Sequence, residues 1–160
     1  MKTIKLTERY VEGLSSVSKK VILGLEGIYS LEARVGESCK YTTDGLRKRM
    51  KEDDMFDYIS VEDNKIVGFL IGHIDANALF IEWIGVDNDN RKVGVMSSLL
   101  SDIEKICLEK GVNRIWCDTN QKNEPAIGFF RKNGFNVFGT ITNFWFGHDY
   151  YFWEKQLNNN

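Results

Sequence analysis

The chain has 160 residues, of which 42% are hydrophobic and 28% are charged, and its formal net charge at pH 7 is −2. This length and composition predict one globular domain, residues 1–160, with a full hydrophobic core. The small excess of acidic residues argues against a nucleic-acid partner, because nucleic-acid-binding domains are usually basic. The three scattered cysteines form no C-x-x-C pair, which argues against a disulfide framework and against a metal site.

No repeat, low-complexity block or proline-rich linker divides the sequence, whose single proline is Pro125. No apolar run is long enough to span a membrane, and the first residues lack the apolar region of a signal peptide. We therefore expect a cytoplasmic protein without a membrane partner.

The N-terminal part of the chain predicts an edge strand and then helices. Residues 3–6 are expected to form a short strand at the edge of a sheet. Apolar residues recur at helical spacing from residue 8 to about residue 32, but three glycines interrupt the pattern: Gly13, Gly24 and Gly27. Because glycine weakens a helix interior, we expect a bend or a break within this segment.

A further helix is predicted to begin at a cap on Thr43 or Asp44. It leads into a strongly charged run at residues 47–54. Such a run is typical of a helix face in contact with solvent, and we interpret it in that way.

The next part of the chain predicts three strands. Residues 56–61 and 65–74 are expected to form two antiparallel strands joined by a turn. Residues 79–86 predict a mostly buried strand that is interrupted by one carboxylate and one glycine, Glu82 and Gly85. A lone carboxylate in such a strand should either have a raised pKa or face solvent.

After this strand the sequence predicts a binding site for an anion. Turn-forming residues at 87–90 lead into 91–95, and apolar residues at helical spacing follow up to Cys107. The first turn of a helix has backbone N–H groups without intrahelical partners, and it carries the positive end of the helix dipole. Gly94 lets a ligand approach the backbone closely and Arg91 adds positive charge, so a pyrophosphate fits here.

A second motif follows a predicted strand at 112–118, and together the two segments resemble the signature of the GNAT superfamily of N-acetyltransferases. The resemblance covers roughly residues 55–157. Val86, Arg91 and Gly94 correspond to the V, [RQ] and G of the segment V-x5-[RQ]-x-x-G-x-[GA], although four residues rather than five separate Val86 from Arg91. The segment N-x-x-A-x-x-[FL]-[YF]-x-[KR]-x-G-F is matched by Asn123, Ala126, Phe129, Phe130, Lys132, Gly134 and Phe135.

The resemblance implies an α/β fold with a mixed, mostly antiparallel central sheet of about six to seven strands and helices on both faces. The last two strands are expected at 136–146 and 150–157. In this fold the strands at 79–86 and 112–118 splay apart to admit the cofactor, and Gly85 is expected to allow a bulge there. The family's N-terminal helices line the acceptor cleft, so residues 47–54 could instead contribute to its rim.

The resemblance also implies acetyl-CoA as the acyl donor and no metal. The pyrophosphate would be bound by backbone N–H groups of seven consecutive residues: Arg91, Lys92, Val93, Gly94, Val95, Met96 and Ser97. The free strand edge at Ile84, Gly85 and Val86 would pair with the pantetheine amides. Asn123 would hydrogen-bond the pantetheine arm, or it could act only as a helix N-cap. Phe130 would pack beside the cofactor.

Two carboxylates are candidates for the general base that takes a proton from the attacking amine. Asp118 lies five residues before Asn123, where related protein N-terminal acetyltransferases place an acidic base. Glu82 is the lone carboxylate of its strand. Either group could act through a water molecule, and either could instead be an ordinary surface or salt-bridged carboxylate.

Three positions depart from the family pattern. Phe130 stands where many members have the tyrosine that protonates the departing thiolate, so Tyr150, Tyr151 or water would replace it, unless the thiolate leaves unaided or catalysis is weak. Lys92 and Met96 stand in the cofactor loop where small residues are usual. The bulk of Met96 opposes a close approach of the cofactor.

The sequence as a whole predicts an N-acetyltransferase in which an amine attacks acetyl-CoA directly within a ternary complex. The alternative is a catalytically impaired domain of the same fold that binds acyl-CoA or a partner protein. The acceptor is left open among a small amine, a polyamine, an aminoglycoside and a peptide N-terminus, although the slight acidity favours a cationic one. Many related domains form homodimers, and this chain could do so.

Overall fold

The computed structural model describes residues 1–87 and 94–158. Within these residues the elements are β1 (Lys2–Lys5), α1 (Val11–Leu23), α2 (Leu31–Ser38), α3 (Thr43–Arg49), β2 (Tyr58–Glu62), β3 (Lys65–Asp75), β4 (Ala78–Val86), α4 (Val95–Glu109), β5 (Arg114–Asn120), α5 (Glu124–Lys132), β6 (Asn136–Trp145) and β7 (His148–Gln156). Single 3-10 turns at Glu8–Tyr10 and Cys39–Tyr41 precede α1 and follow α2. The predicted cofactor-loop residues Arg91, Lys92 and Val93 lie outside the described residues.

The seven strands form one sheet in the order β1-β2-β3-β4-β5-β7-β6. Neighbouring strands are antiparallel, except that β4 and β5 run parallel and are connected through α4. The prediction of a mixed, mostly antiparallel sheet is confirmed, and so are the edge strand β1 and the final pair β6 and β7.

The helices cover both faces of the sheet, as predicted. On one face, α4 and α5 bury apolar side chains such as Leu99 and Ile103 against the strands. On the other face, α1 and α3 bury Leu14 and Leu46 against residues that include Phe69. Full burial of each such side chain contributes about 1.5–3 kcal/mol, so the two cores fix the sheet between the helices. None of the helices in the described ranges has both the length and the apolar character of a membrane span.

The predicted interruption of the N-terminal helix is confirmed. α1 ends at Leu23 with Gly24 as its C-cap. Gly27 has a φ of 80°, a left-handed conformation that glycine adopts without a steric penalty. α2 begins after Ser30, whose hydroxyl accepts a hydrogen bond from the N–H of Ala33 at 3.2 Å. The chain therefore turns between two separate helices.

The cap of α3 lies earlier than predicted. It is Thr42, rather than Thr43 or Asp44, and its hydroxyl accepts a hydrogen bond from the N–H of Gly45 at 3.2 Å. Thr42 and Thr43 have the same capping chemistry, and helix boundaries read from a sequence are uncertain by a residue or two.

β4 and β5 pair over only part of their length. Their parallel register ends at Ile81 and Cys117, although β4 continues to Val86 and β5 continues to Asn120. The predicted splay is therefore present. Beyond Ile81, no strand of the described chain pairs with the edge of β4 that faces β5, whereas its opposite edge stays paired with β3.

The bulge in β4 lies at Glu82 and not at Gly85. The adjacent β3 residues 71 and 72 pair with β4 residues 83 and 81, which leaves Glu82 as the extra residue. Gly85 has a different role, because a Cβ there would lie 2.9 Å from the ring of Phe69. Packing thus requires the glycine, and the bulge turns Glu82 out of the regular strand alternation.

Candidate active site

A cavity of about 370 Å³ opens where β4 and β5 splay. Its walls come from the two splayed strands, from α5, from the segment 29–41 and from the hairpin of β6 and β7. The polar and titratable residues in the lining are Glu37, Lys40, His73, Glu82, Asp118, Thr119 and Asn123. The aromatic ones are Tyr29, Tyr41, Phe80, Trp83, Phe130, Phe144, Trp145 and Tyr150.

Both predicted general bases face this cavity from equivalent positions. The pairing between β4 and β5 ends at Ile81 and Cys117. Glu82 and Asp118 are the first residues beyond these two positions. The described part of the chain holds no group of three or more His, Cys, Asp or Glu side chains arranged to hold a metal ion. The titratable groups described at this site are therefore the two carboxylates and the side chains next to them.

Asp118 is a partly buried carboxylate with a raised pKa. Burial is the main cause, and the negative charge of Glu37 is the second; together they raise the pKa of Asp118 from 3.8 to about 6. No side chain of the described chain donates a hydrogen bond that would offset this shift. At neutral pH such a group is ionised and yet binds a proton more tightly than an exposed aspartate does, which suits a general base.

Glu82 lies in a network of hydrogen-bond donors. The hydroxyl of Tyr41 donates to its Oε2 at 3.0 Å, Nη1 of Arg49 donates to Oε2 at 3.1 Å, and Nδ1 of His73 lies 3.0 Å from Oε1. Burial acts to raise the pKa of Glu82, but the hydrogen bond with His73, the charge of Arg49 and the hydrogen bond from Tyr41 hold it below 4.5. The expectation of a raised pKa or a solvent-facing side chain is wrong, since this side chain is only 19% exposed.

Arg49 connects Glu82 to a second buried carboxylate, Asp57. Nε and Nη2 of Arg49 donate to the two carboxylate oxygens of Asp57 at 3.0 and 2.9 Å, and Nη2 also donates to the carbonyl of Gly72 at 3.0 Å. The Arg49 side chain is 16% exposed. It therefore departs from the predicted solvated face at 47–54, and neither spacing nor composition distinguishes it from its charged neighbours.

Glu37 is a cavity residue that the sequence did not indicate. It lies in the last turn of α2, and its side chain is 10% exposed. Its Oε1 accepts a hydrogen bond from Nε1 of Trp83 at 2.9 Å and lies 3.3 Å from the hydroxyl of Tyr41, whose single proton is closer to Glu82. Nζ of Lys40, a side chain that is 63% exposed, lies 2.7 Å from Oε2. One oxygen of Glu37 is thus held by Trp83 in the cavity wall, and the other is paired with the long, exposed side chain of Lys40.

Two tyrosines complete the wall near Asp118. Tyr29 and Tyr150 are close enough to interact, and each has a raised pKa that results mainly from burial. The backbone at Tyr29 is held by Nε of Arg34, which donates to the Tyr29 carbonyl at 3.3 Å, and by Asn120, whose side chain donates to the preceding carbonyl at 3.2 Å. Of the two tyrosines considered as proton donors, Tyr150 lines the cavity, whereas Tyr151 packs against the core under α4 and α5.

Three of the predicted cofactor contacts also line the cavity: Ile84, Asn123 and Phe130. Asn123 is the N-cap of α5, because its Oδ1 accepts a hydrogen bond from the N–H of Ala126 at 3.3 Å. The capping interpretation is therefore correct, and it leaves the Asn123 amide NH₂ for other partners. Phe130 is buried and meets Phe135 edge to face with a centroid distance of 5.1 Å.

The remaining predicted cofactor residues that are described lie at the start of α4. Gly94 is the N-cap with a φ of 100°, and no described side chain caps this end of the helix. The N–H groups of Val95, Met96 and Ser97 thus have no intrahelical acceptor. A Cβ at Gly94 would meet no described heavy atom within 4 Å. Among the described residues nothing covers this end of α4, which suits it to bind an anion.

The start of α4 adjoins the free edge of β4. A Cβ on Gly68 of β3 would lie 3.3 Å from Cγ1 of Val95 and 3.5 Å from the carbonyl oxygen of Gly85. Gly85 and Val86 are the last residues of the free edge. The unpaired strand edge and the uncapped helix start are consequently neighbours, on the side where the two strands have separated.

Comparisons with known proteins agree with this architecture. A sequence profile described as the acetyltransferase (GNAT) family matches residues 25–135. An acetyltransferase of Pectobacterium atrosepticum is 27% identical over 96 residues, which are 60% of this chain and 67% of that protein. A match to the YxbD protein of Bacillus subtilis, at 29% identity over 76 residues, spans 46% of that protein.

Solved structures share the fold over nearly the whole chain. The PaiA N-acetyltransferase of Thermoplasma acidophilum in complex with coenzyme A aligns with a TM-score of 0.83 and 22% identity, over 97% of this chain and 98% of that one. An aminoglycoside 6'-acetyltransferase type Ii aligns with a TM-score of 0.78 and 16% identity, over 100% and 99%. At these identities the likeness concerns the fold.

Proposed function

Because the chain belongs to the acetyltransferase (GNAT) family, we propose that it transfers the acetyl group of acetyl-CoA to a primary amine by direct attack within a ternary complex. The observation that carries this proposal is the splay of β4 and β5. It opens the cavity that Asp118 lines, and it leaves one edge of β4 unpaired up to Val86, next to the start of α4, where no described side chain caps the helix.

The described residues fit acetyl-CoA. The N–H groups at the start of α4, from Gly94 to Ser97, would bind its pyrophosphate, and the cofactor-loop residues Arg91 to Val93 directly precede them in the sequence. The free edge at Ile84, Gly85 and Val86 would pair with the pantetheine amides. The amide of Asn123 and the ring of Phe130 would contact the arm inside the cavity. Acetyl-CoA supplies the acetyl group as a thioester.

Asp118 is assigned the role of general base. It takes the proton that the amine loses as the new N–C bond forms, while the C–S bond breaks and the thiolate leaves. The thiolate is then protonated by water or by Tyr150, because Phe130 has no proton to give. Glu82 already accepts hydrogen bonds from Tyr41 and Arg49, so its proposed role is to position the cavity wall.

The test is calorimetric titration of the purified protein with acetyl-CoA, using Gly94→Trp and Gly94→Ala as a matched pair. Gly94 has a positive φ, so both variants introduce similar backbone strain and only tryptophan fills the open space in front of the helix. We expect micromolar binding in the natural protein, a loss of less than about tenfold with alanine, and no detectable binding with tryptophan.

Release of CoA in the presence of a panel of amines then tests the transfer itself. A folded protein that binds no acetyl-CoA would contradict the proposal. Binding without CoA release for any amine would favour the alternative, an acyl-CoA-binding module, which the phenylalanine at position 130 already motivates.

A further inference from the structure

We infer that the acceptor is a small amine with a second positive charge, held by Glu37 and the surrounding aromatic rings while the reacting amine lies at Asp118. This inference rests on the proposed function and narrows its acceptor. The acceptor part of the cavity is built by α2, by the loop before it and by the β6–β7 hairpin.

The first argument is the charge of the cavity. Its lining includes the carboxylates of Glu37, Glu82 and Asp118, and Lys40 is the single lysine or arginine among the described lining residues. Glu82 is paired with Arg49, which it shares with Asp57, a carboxylate outside the cavity lining. Glu37 and Asp118 remain, and they repel one another across the cavity. An acceptor with two positive charges relieves this repulsion at both ends.

The second argument is the state of Glu37. Its Oε1 accepts the hydrogen bond from Trp83 and lies beside the Tyr41 hydroxyl, which fixes the carboxylate in one orientation. Its Oε2 is bound by the ammonium group of Lys40, whose side chain is 63% exposed at the rim. A long exposed lysine moves away at little cost. The Lys40 ammonium thus marks the position that the distal ammonium of an acceptor would take.

The third argument is the aromatic lining of the cavity. The rings of Tyr29, Trp83, Trp145 and Tyr150 line the same cavity as Glu37 and Asp118, and Tyr29 meets Trp145 edge to face at 5.5 Å. Aromatic faces attract cations and also shield an aliphatic chain from water. Glu37 lies in the last turn of α2, so the negative end of that helix dipole adds to the attraction.

The test compares 1,4-diaminobutane with 1-aminobutane, which has the same carbon chain and one charge fewer. Initial rates of CoA release give KM for both amines in the natural protein and in Glu37→Gln. Glutamine keeps an oxygen that accepts the hydrogen bond from Trp83, and it removes the charge together with the second acceptor oxygen. We expect KM for the diamine to rise about tenfold and KM for the monoamine to change less than about twofold, as for the loss of one partly screened ion pair.

Two further variants separate a specific effect from a structural one. Lys40→Met removes the competing ammonium, so we expect KM for the diamine to fall about two- to fivefold. Glu32→Gln removes an exposed charge from the same helix and should leave both KM values unchanged. Equal KM values for the two amines in the natural protein, or equal changes for both amines in Glu37→Gln, would overturn the inference.

Failure of the proposed function would give a different result. If no amine supports CoA release, amine binding can still be tested separately from acetyl transfer. Calorimetric titration with each of the two amines, in the absence of an acyl donor, makes this test. Binding of 1,4-diaminobutane that Glu37→Gln loses would support the acidic cavity as a dication site. No preference for the diamine over 1-aminobutane would reject it.

Discussion

Glu82 and Asp118 stand at the same level of two neighbouring strands, and their surroundings differ in one respect. Both side chains are largely removed from solvent. Glu82 has Arg49, His73 and Tyr41 around its oxygens, whereas Asp118 has a second carboxylate, Glu37, as its main charged neighbour. The pKa of Glu82 is lowered and the pKa of Asp118 is raised to about 6.

The comparison shows that burial alone does not decide what a carboxylate can do. Desolvation is the largest influence on the pKa of both groups and raises it in both. Donors and a cation reverse the direction at Glu82, and their absence among the described neighbours of Asp118 leaves the shift in place. The Glu82 carboxylate thus makes structural hydrogen bonds, whereas the Asp118 carboxylate has the raised pKa that suits a proton acceptor.

The largest expected effect comes from the two isosteric amide variants of these carboxylates. We expect Asp118→Asn to lower kcat by about 10²–10⁴-fold, because it removes the general base, and Glu82→Gln to lower it by less than about tenfold. CoA release measured at saturating amine and acetyl-CoA checks both values. In the natural protein, log kcat measured at saturating amine and acetyl-CoA should rise with pH and level off above about 6, since Asp118 acts in its ionised form.

Asp44→Asn, at a side chain that is 95% exposed, is the control for this comparison. Similar losses of kcat in Asp118→Asn and Glu82→Gln would show that the difference in their surroundings does not separate their roles. A larger loss in Glu82→Gln would exchange the two assignments.

The next largest effect is expected from the removal of Arg49, the cation that contacts Glu82 but not Asp118. Arg49→Met would leave Asp57, whose side chain is 4% exposed, without its bidentate partner. We expect the free energy of unfolding to fall by about 3–5 kcal/mol, as for other buried ion pairs that lose one member. Urea denaturation followed by tryptophan fluorescence measures this change.

Arg47→Met is the matched control, because Arg47 lies on the same helix and its partner Glu8 is 63% exposed. We expect this variant to change stability little, since exposed ion pairs contribute little. If both arginine variants had the same effect, the charged run would be a solvated face throughout and the network around Glu82 would not stabilise the fold.

Much of the fold could be predicted from the sequence, because it depends on patterns of neighbouring residues. Alternating apolar residues identified β2 and β3, helical spacing identified α4, and the glycines Gly24 and Gly27 identified the break after α1. The family resemblance also predicted that β4 and β5 separate, and both candidate bases, Glu82 and Asp118, lie where they do.

The parts of the site that were missed depend on contacts between distant segments. Arg49 has charged neighbours on both sides in the sequence, and only its position opposite Asp57 and Glu82 makes it buried. The bulge at Glu82 has no local sequence signal. The facing residue is Gly72, where a Cβ would clash with the carbonyl oxygen of Phe80. Glu37 reaches the cavity because the break after α1 lets α2 turn toward β4.

The smallest expected effect is a gain in stability on the Asp118 side. The folded-state pKa of Asp118 is raised from 3.8 to about 6, so folding is favoured while this carboxyl is protonated and that contribution is lost as pH rises through about 6. Asp118→Asn removes the cost of the buried charge. At pH 7.5 we expect it to raise the free energy of unfolding by about 1–3 kcal/mol, and we expect the gain to shrink toward pH 4.

Glu82→Gln should act in the opposite direction, because the lowered pKa of Glu82 stabilises the fold at neutral pH and this contribution is lost on acidification below 4.5. Urea denaturation of both variants at pH 7.5 and pH 4 measures the two slopes. A loss of stability in Asp118→Asn at pH 7.5 would mean that the ionised carboxylate has a favourable partner, and the contrast between the two carboxylates would then not hold.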